Sequence, residues 1–485
     1  MKNIYLFIAI LGFSIGLQAQ APEVNWKKTY FGQEFNGEVI DVTNISAIAQ
    51  NLQGQFLLGG SATTNPLLVD ENGTILNHFI TSQESQVFAV KPTVDGGFIF
   101  IVNGGSDYSA VKISDTFGIE WELPLQTNGS YWVNDIIENP NGSFTFVGTT
   151  NDEEILGHSG NHYDGWIGRI SASGTLQWQK AMGHDDAGDY FDNIIVSNDG
   201  RYFITGGTNT EQISGHNGGD NYDVWVLEVN SSGDMVWENL FGGPRDEGSL
   251  DIIINTDGNL IVHGYVSQVE DYDVFLARLS TGSGALLNYR EYGGSGNEYA
   301  GSVIQTTDGG YIFASTTNSI DGDIGTPNTD GYLDMWVVKT YGNLNLQWDK
   351  SIDYSDQGGL SAYARSMVKT QDGGFLLGGY TGLYDPEEGN YSSAFLVKIG
   401  GTMGVDDLDK HSFQLYPNPA KDFVNLKGLE KGTQIRILDL SGKLIHAKTT
   451  TSETVQIHLQ HLNSGVYIVE TISKGIKTSK KLIVK

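Results

Sequence analysis

The chain of 485 residues carries 28 Lys+Arg against 58 Asp+Glu, a formal net charge of −30, with 63 Gly and no Cys. That length can hold more than one domain and bury large cores. The missing thiols exclude disulfide scaffolds, zinc ribbons and cysteine nucleophiles. The charge is unevenly placed: residues 410–485 hold 12 Lys+Arg and 5 Asp+Glu, whereas residues 3–409 hold 15 and 53. An acidic body of balance −38 followed by a basic tail unit of +7 marks a domain boundary. It also argues against nucleic acid as a partner, since that binding depends on neutralising phosphates.

At the N-terminus, Met1-Lys2-Asn3 precedes an apolar run from Ile4 to Leu17 and then Gln18-Ala19-Gln20. This pattern predicts a secretory signal over residues 1–19. The run is short for a bilayer span and no later segment is continuously apolar, so the mature protein is expected to lack a transmembrane segment.

From residue 20 to 401 one unit recurs. A Gly turn followed by an apolar run appears as "LQGQFLLGG", "VDGGFIFIV", "PNGSFTFVG", "NDGRYFITGG", "TDGNLIVHG", "TDGGYIFAS" and "QDGGFLLGG". Aligned on Gly54, Gly96, Gly142, Gly200, Gly258, Gly309 and Gly373, the spacing runs 42, 46, 58, 58, 51 and 64. Such turns between short apolar runs predict β-hairpins. A third strand ("VWVLEV", "MWVVKT"), a second Gly turn and a fourth strand ending in Trp or Leu complete each unit. Four antiparallel strands at this period predict a seven-bladed β-propeller of about 54 residues per blade. The seventh unit lacks a fourth strand, and "VNWKKTYFG" around Trp26 has the missing pattern. An N-terminal strand is therefore expected to close the last blade, removing an exposed edge.

The Asp-Gly-Gly turns, the Gly-Gly pairs and the Trp-ended strands resemble the secreted DGG-repeat, delta-60-like propellers of Gram-negative bacteria. More distantly, "ITGG…YDVWVLEVNSSGDMVWENL" resembles kelch repeats. These are scaffold motifs, so the resemblance implies fold rather than activity.

After a linker at 402–411, residues 412–485 break into short alternating strands with Pro or Gly turns, enough for a small Ig-like β-sandwich. Tyr416-Pro417-Asn418-Pro419, "ILDLSGKLI", "LNSGVYIV" with Gly465 and Tyr467, and the closing run from Lys480 and Lys481 resemble the type A C-terminal sorting domain of type IX secretion. That resemblance implies an export address read by the type IX machinery, and a product released or anchored at the outer-membrane surface.

Chemistry is sparser. The connections between second and third strands are long in units three, four, six and seven, and function on rigid scaffolds favours such loops. In the same units Trp132, Tyr190, Tyr299 and Tyr363 stand ten residues before the turn Gly, where units one, two and five have Asn44, Gln86 and Gly248. This aromatic column near a channel mouth suits sugar rings, whose apolar faces stack on aromatic ones. A glycan or a surface protein is the expected ligand, bound by a monomer. The oxygen-rich loop with Asp321, Asp323 and Asp330 could be ordered by Ca2+, although it lacks the bidentate Glu of an EF-hand. No other cofactor is implied. The competing class is a polysaccharide-degrading, lyase-like enzyme using His158, His162, His184 or His216 with Arg245. The acidic body would repel a polyanionic substrate.

Overall fold

A computed structural model describes residues 21–485 except 63–65, 80–84, 106, 214–220, 270, 326–330, 355–358, 386–388, 402–413, 417, 422, 430, 439–443, 453, 461, 464 and 474–475. The expected signal, His216, Asp330 and Pro417 lie outside the described residues. The chain divides into two compact units, Met1–Gly400 and Gly401–Lys485.

In the first unit the regular structure is antiparallel strand throughout the described residues. The sheet of Tyr131–Glu138, Phe144–Thr150, Asp164–Ile170 and Leu176–Met182 sets the pattern, with each strand beside the next in sequence. Four-stranded sheets of the same order begin at Asp189, Glu247 and Glu298. Residues 31–125 form one nine-stranded sheet, in which Ser61 and Ala62 pair with Gln86 and Ser85 and so join two strand groups. A sixth sheet combines the two ends of the repeat region: Val24–Thr29 pairs antiparallel with Gly389–Ile399, Trp26 opposite Lys398. The whole is an all-β, propeller-like arrangement.

Sequence explains the local geometry. The seven turn glycines all have φ between 76° and 89°, the left-handed region that a side chain makes costly. Lys112, Lys339 and Lys398 reach back from third strands to the turn carboxylates Asp95, Asp308 and Asp372 at 2.8, 2.9 and 2.7 Å. In the second kind of turn, a Cβ on Gly174, Gly233 or Gly284 would lie 2.5–2.6 Å from the ring of Trp121, Trp178 or Trp237 in the preceding sheet. Trp26 takes the same position over Gly73, where the distance would be 2.9 Å. Trp therefore packs sheet to sheet, and Gly is required beneath it. Second and third strands such as Phe144–Thr150 and Asp223–Val229 are buried at every residue because neighbouring sheets cover both faces. Trp166, Trp225 and Trp336 are completely buried there.

The first strands, Glu38–Gln50, Ser85–Pro92, Tyr131–Glu138, Asp189–Val196, Glu247–Ile254, Glu298–Gln305 and Gly359–Lys369, each adjoin the next, and the last adjoins the first. They surround an axial cavity of about 570 Å³ to which all of them contribute lining residues.

The second unit has a three-stranded sheet (Gln414–Tyr416, Phe423–Lys427, Thr454–His458) and a four-stranded one (Gln434–Leu438, Leu444–Thr449, Gly465–Ser473, Ile476–Val484). They share one core that includes Val424, Ile435, Ile457, Val469 and Leu482.

Candidate functional site

Each first strand carries a register break at an equivalent place: 45/47, 88/91, 133/135, 191/193, 249/251, 300/303 and 364/366. A β-bulge frees a backbone N–H from the ladder and re-aims the extra side chain. Just beyond several of these breaks, N–H groups on the open edge of the first strand are met from the neighbouring sheet. Ile194 N donates to Asp135 at 3.2 Å, Val303 N to Asp251 at 2.8 Å, Met367 N to Ser302 at 2.7 Å and Ile48 N to Ser366 at 3.1 Å. Asn193 Nδ2 instead donates to Leu250 O at 2.9 Å. Lys91 bridges the second and third of these strands with an ion pair to the buried Asp135 at 3.1 Å. Burial works against the Lys91 charge, but Asp135 and Asp251 outweigh it and its pKa rises. Burial pushes Asp192 up to about 7 and Asp251 up to about 6. The axis is thus a belt of paired polar groups.

Above the belt lies a rim three residues earlier on the first strands. A second cavity of about 830 Å³ opens here, lined by Asn44, Gln86, Leu250, Arg365, Tyr380 and Ser392 among others. Tyr363 stacks on Tyr380 with ring centroids 4.2 Å apart and an interplanar angle of 11°. Tyr299 lies 6.2 Å from Tyr272, which meets Tyr265 edge-on at 5.9 Å. Tyr190 packs on Tyr222 at 5.4 Å. Burial raises the hydroxyl pKa values of Tyr190, Tyr265 and Tyr363, and neighbouring phenols add to it: Tyr265 on Tyr190, Tyr272 on Tyr265, Tyr380 and Tyr299 on Tyr363. These hydroxyls stay protonated at neutral pH and can donate hydrogen bonds.

The structure therefore places Tyr190, Tyr299 and Tyr363 each in a cluster with rings the spacing did not select. Gly248 is not a gap: a Cβ there would lie 2.4 Å from the Tyr265 ring, which sits opposite on the second strand. The ring has moved across the ladder. Tyr222 and Tyr272 precede the third-strand Asp of the repeated motif, so that motif's Tyr serves the rim. Trp132 likewise pairs with the Tyr that precedes its third-strand Asp, Tyr163, at 5.1 Å, and is 45% exposed.

The loop histidines take other positions. His158 Nδ1 pairs with the buried Asp164 at 2.7 Å. Burial disfavours a charged His184, but hydrogen bonds to Asp189 and Glu238 outweigh that and push it up to about 10. His184 is thus a cation at neutral pH and no base. His162 is exposed, and Arg245 bonds Gln268. Neither these histidines nor Arg245 line the axial or rim cavity. Asp321 accepts from Ser295 N at 2.8 Å and Asp323 pairs with Arg290 at 3.1 Å, so both brace the crossover before their unit. Among the described residues no group of three or more His, Cys, Asp and Glu is placed to hold a metal ion.

Third-strand aspartates face the first acid of the next sheet, a pairing the sequence pattern did not signal. Burial, reinforced by Asp223, pushes Glu247 up to about 7. Burial, reinforced by Asp273, does the same to Glu298. Each pair lies against a crossover glycine, Gly242 or Gly293, whose missing side chain leaves room for it. One proton shared between two carboxyls is the chemistry of such a site.

In the second unit Asn418 accepts from Ile483 N at 2.9 Å and Ala420 N donates to Ile483 O at 2.8 Å, tying the Tyr416–Pro419 segment to the last strand. Tyr467 packs on the core while its hydroxyl donates to Asn463 O at 3.0 Å. Gly465 pairs with Val484, and Lys480 and Lys481 pair with Val469 and Ile468.

The chain is thus a propeller-like repeat protein followed by a separate small β-domain. Residues 414–485 match the family described as the secretion system C-terminal sorting domain. This domain directs the protein through type IX secretion to the cell surface or extracellular space. Among the described residues no helix is long and apolar enough to cross a membrane. No curated protein matches the chain. Among solved structures it is similar to virginiamycin B lyase from Staphylococcus aureus (14% identity over 76% of this chain and 98% of that one, TM-score 0.45). It is also similar to the extracellular domain of a hybrid two-component system from B. thetaiotaomicron (9% identity, 96% and 60%, TM-score 0.46).

Proposed function

We propose that the protein is an extracellular, seven-bladed propeller of the DGG-repeat kind that binds a saccharide at its rim, delivered by an Ig-like sorting domain. Seven bulged first strands around one axis, with Val24–Thr29 completing the last sheet, support the blade number. The observation that carries the binding reading is the set of paired rim tyrosines, with Tyr380 lining a polar cavity of about 830 Å³. Aromatic faces next to amides and hydroxyls match the alternating apolar faces and polar edges of sugar rings. Expected on an oligosaccharide panel is binding without product, weakened at least tenfold by Tyr299→Ala or Tyr363→Ala. Unchanged affinity in both variants, or binding of surface protein alone, defeats the reading. New reducing or unsaturated ends would replace it with catalysis.

A further inference from the structure

Among the described residues, the rim cavity is lined by hydroxyls, amides, small side chains, Leu250 and one charged side chain, Arg365. That is unusual in a body whose balance is −38. Arg365 is the extra residue of its bulge, between Ala364 and Ser366, so the backbone irregularity itself aims it at the axis. It is exposed, and no carboxylate of the described residues lies within ion-pair distance, whereas Lys91 deeper in the axis is held by Asp135. Its guanidinium lies 5.9 Å from the Tyr380 ring centroid, and Tyr380 is fixed by its stack on Tyr363. An aromatic face beneath a guanidinium holds its plane and leaves its N–H fork free. Of the equivalent bulge residues, Ser46, Leu250 and Gly301 line the same cavity and carry no charge, whereas Asp192 is not among its lining.

We propose that Arg365 is the carboxylate-recognition residue of the rim, and that the ligand is a saccharide bearing a single carboxylate. The inference rests on the saccharide reading above and specifies its substrate class. A planar fork binds a carboxylate through two parallel hydrogen bonds, while the amides of Asn44 and Gln86 and the hydroxyls of Ser46 and Ser392 line the same cavity and can meet the sugar's polar edges. One arginine matches one charge, and the acidic field around it disfavours a polyanion.

The test is calorimetric titration of the full chain with a glucuronate-terminated disaccharide, its neutral glucose-terminated counterpart, and inorganic phosphate. The acidic disaccharide is expected to bind about tenfold more tightly than the neutral one, and phosphate far more weakly than either. Arg365→Gln brings the acidic-to-neutral ratio near one, and Arg365→Lys keeps part of the preference. Equal wild-type affinities, or an undiminished ratio in Arg365→Gln, overturn the inference and leave the saccharide reading standing. Phosphate binding as tightly as the acidic disaccharide overturns it too, since the sugar then contributes nothing. Binding of neither disaccharide defeats both.

Discussion

Replacing Glu247 by Gln should remove a large part of the pH dependence of stability. Glu247 is buried at 4% exposure against the fully buried Asp223, and its pKa stands near 7 instead of 4.5. The folded form therefore binds a proton that the unfolded chain has released between those values. The resulting stability is fully present below about pH 4.5 and is lost as pH rises through 7. At 1.36 kcal/mol per unit the pair becomes about 3 kcal/mol less stabilising from pH 4.5 to 8.5. A Gln amide donates to Asp223 at every pH and does not titrate. Urea unfolding of wild type and Glu247→Gln at pH 4.5 and 8.5 measures the difference directly. Glu298, Asp192 and Asp251 are common to both proteins, so their titrations cancel. A pH dependence equal in the two proteins to within about 1 kcal/mol would refute the shared proton.

Removing residues 21–30 deletes a whole strand, the Trp26 ring over Gly73 and the fully buried Tyr30, whose hydroxyl donates to Gly73 O at 2.8 Å. A loss of at least about 4 kcal/mol is expected, read as a large fall in Tm by scanning calorimetry; an unchanged Tm contradicts the closure. Asp135→Ala leaves both Lys91 and Ile194 N without their acceptor and should cost about 3 kcal/mol in denaturant unfolding. Ser366→Ala, which removes one neutral acceptor from Ile48 N, should cost about 1 kcal/mol; equal costs would mean that the axial charge is unimportant.

The rim shows how far spacing reaches. Tyr190, Tyr299 and Tyr363 were legible because they keep one distance to a turn glycine on one strand. Tyr265 and Tyr380 were not, since cross-strand register places them, and a residue opposite in a ladder has no fixed separation in sequence. The loop histidines are visible in the sequence, but the pairing of His158 with Asp164 and of His184 with Asp189 depends on how loop and sheet meet.

Sequence by itself determined the repeat. Turn chemistry and strand alternation are local, and glycines at positive φ and buried tryptophans follow from a few residues each. Composition likewise separated the basic sorting domain from the acidic body. Only the tertiary structure decided what the centre is made of. The bulges turn Arg365 and its counterparts toward the axis, and adjoining sheets, the last and the first among them, supply the acceptors for the N–H groups on the open strand edges. Such choices depend on geometry between units, whereas the repeat is written within each.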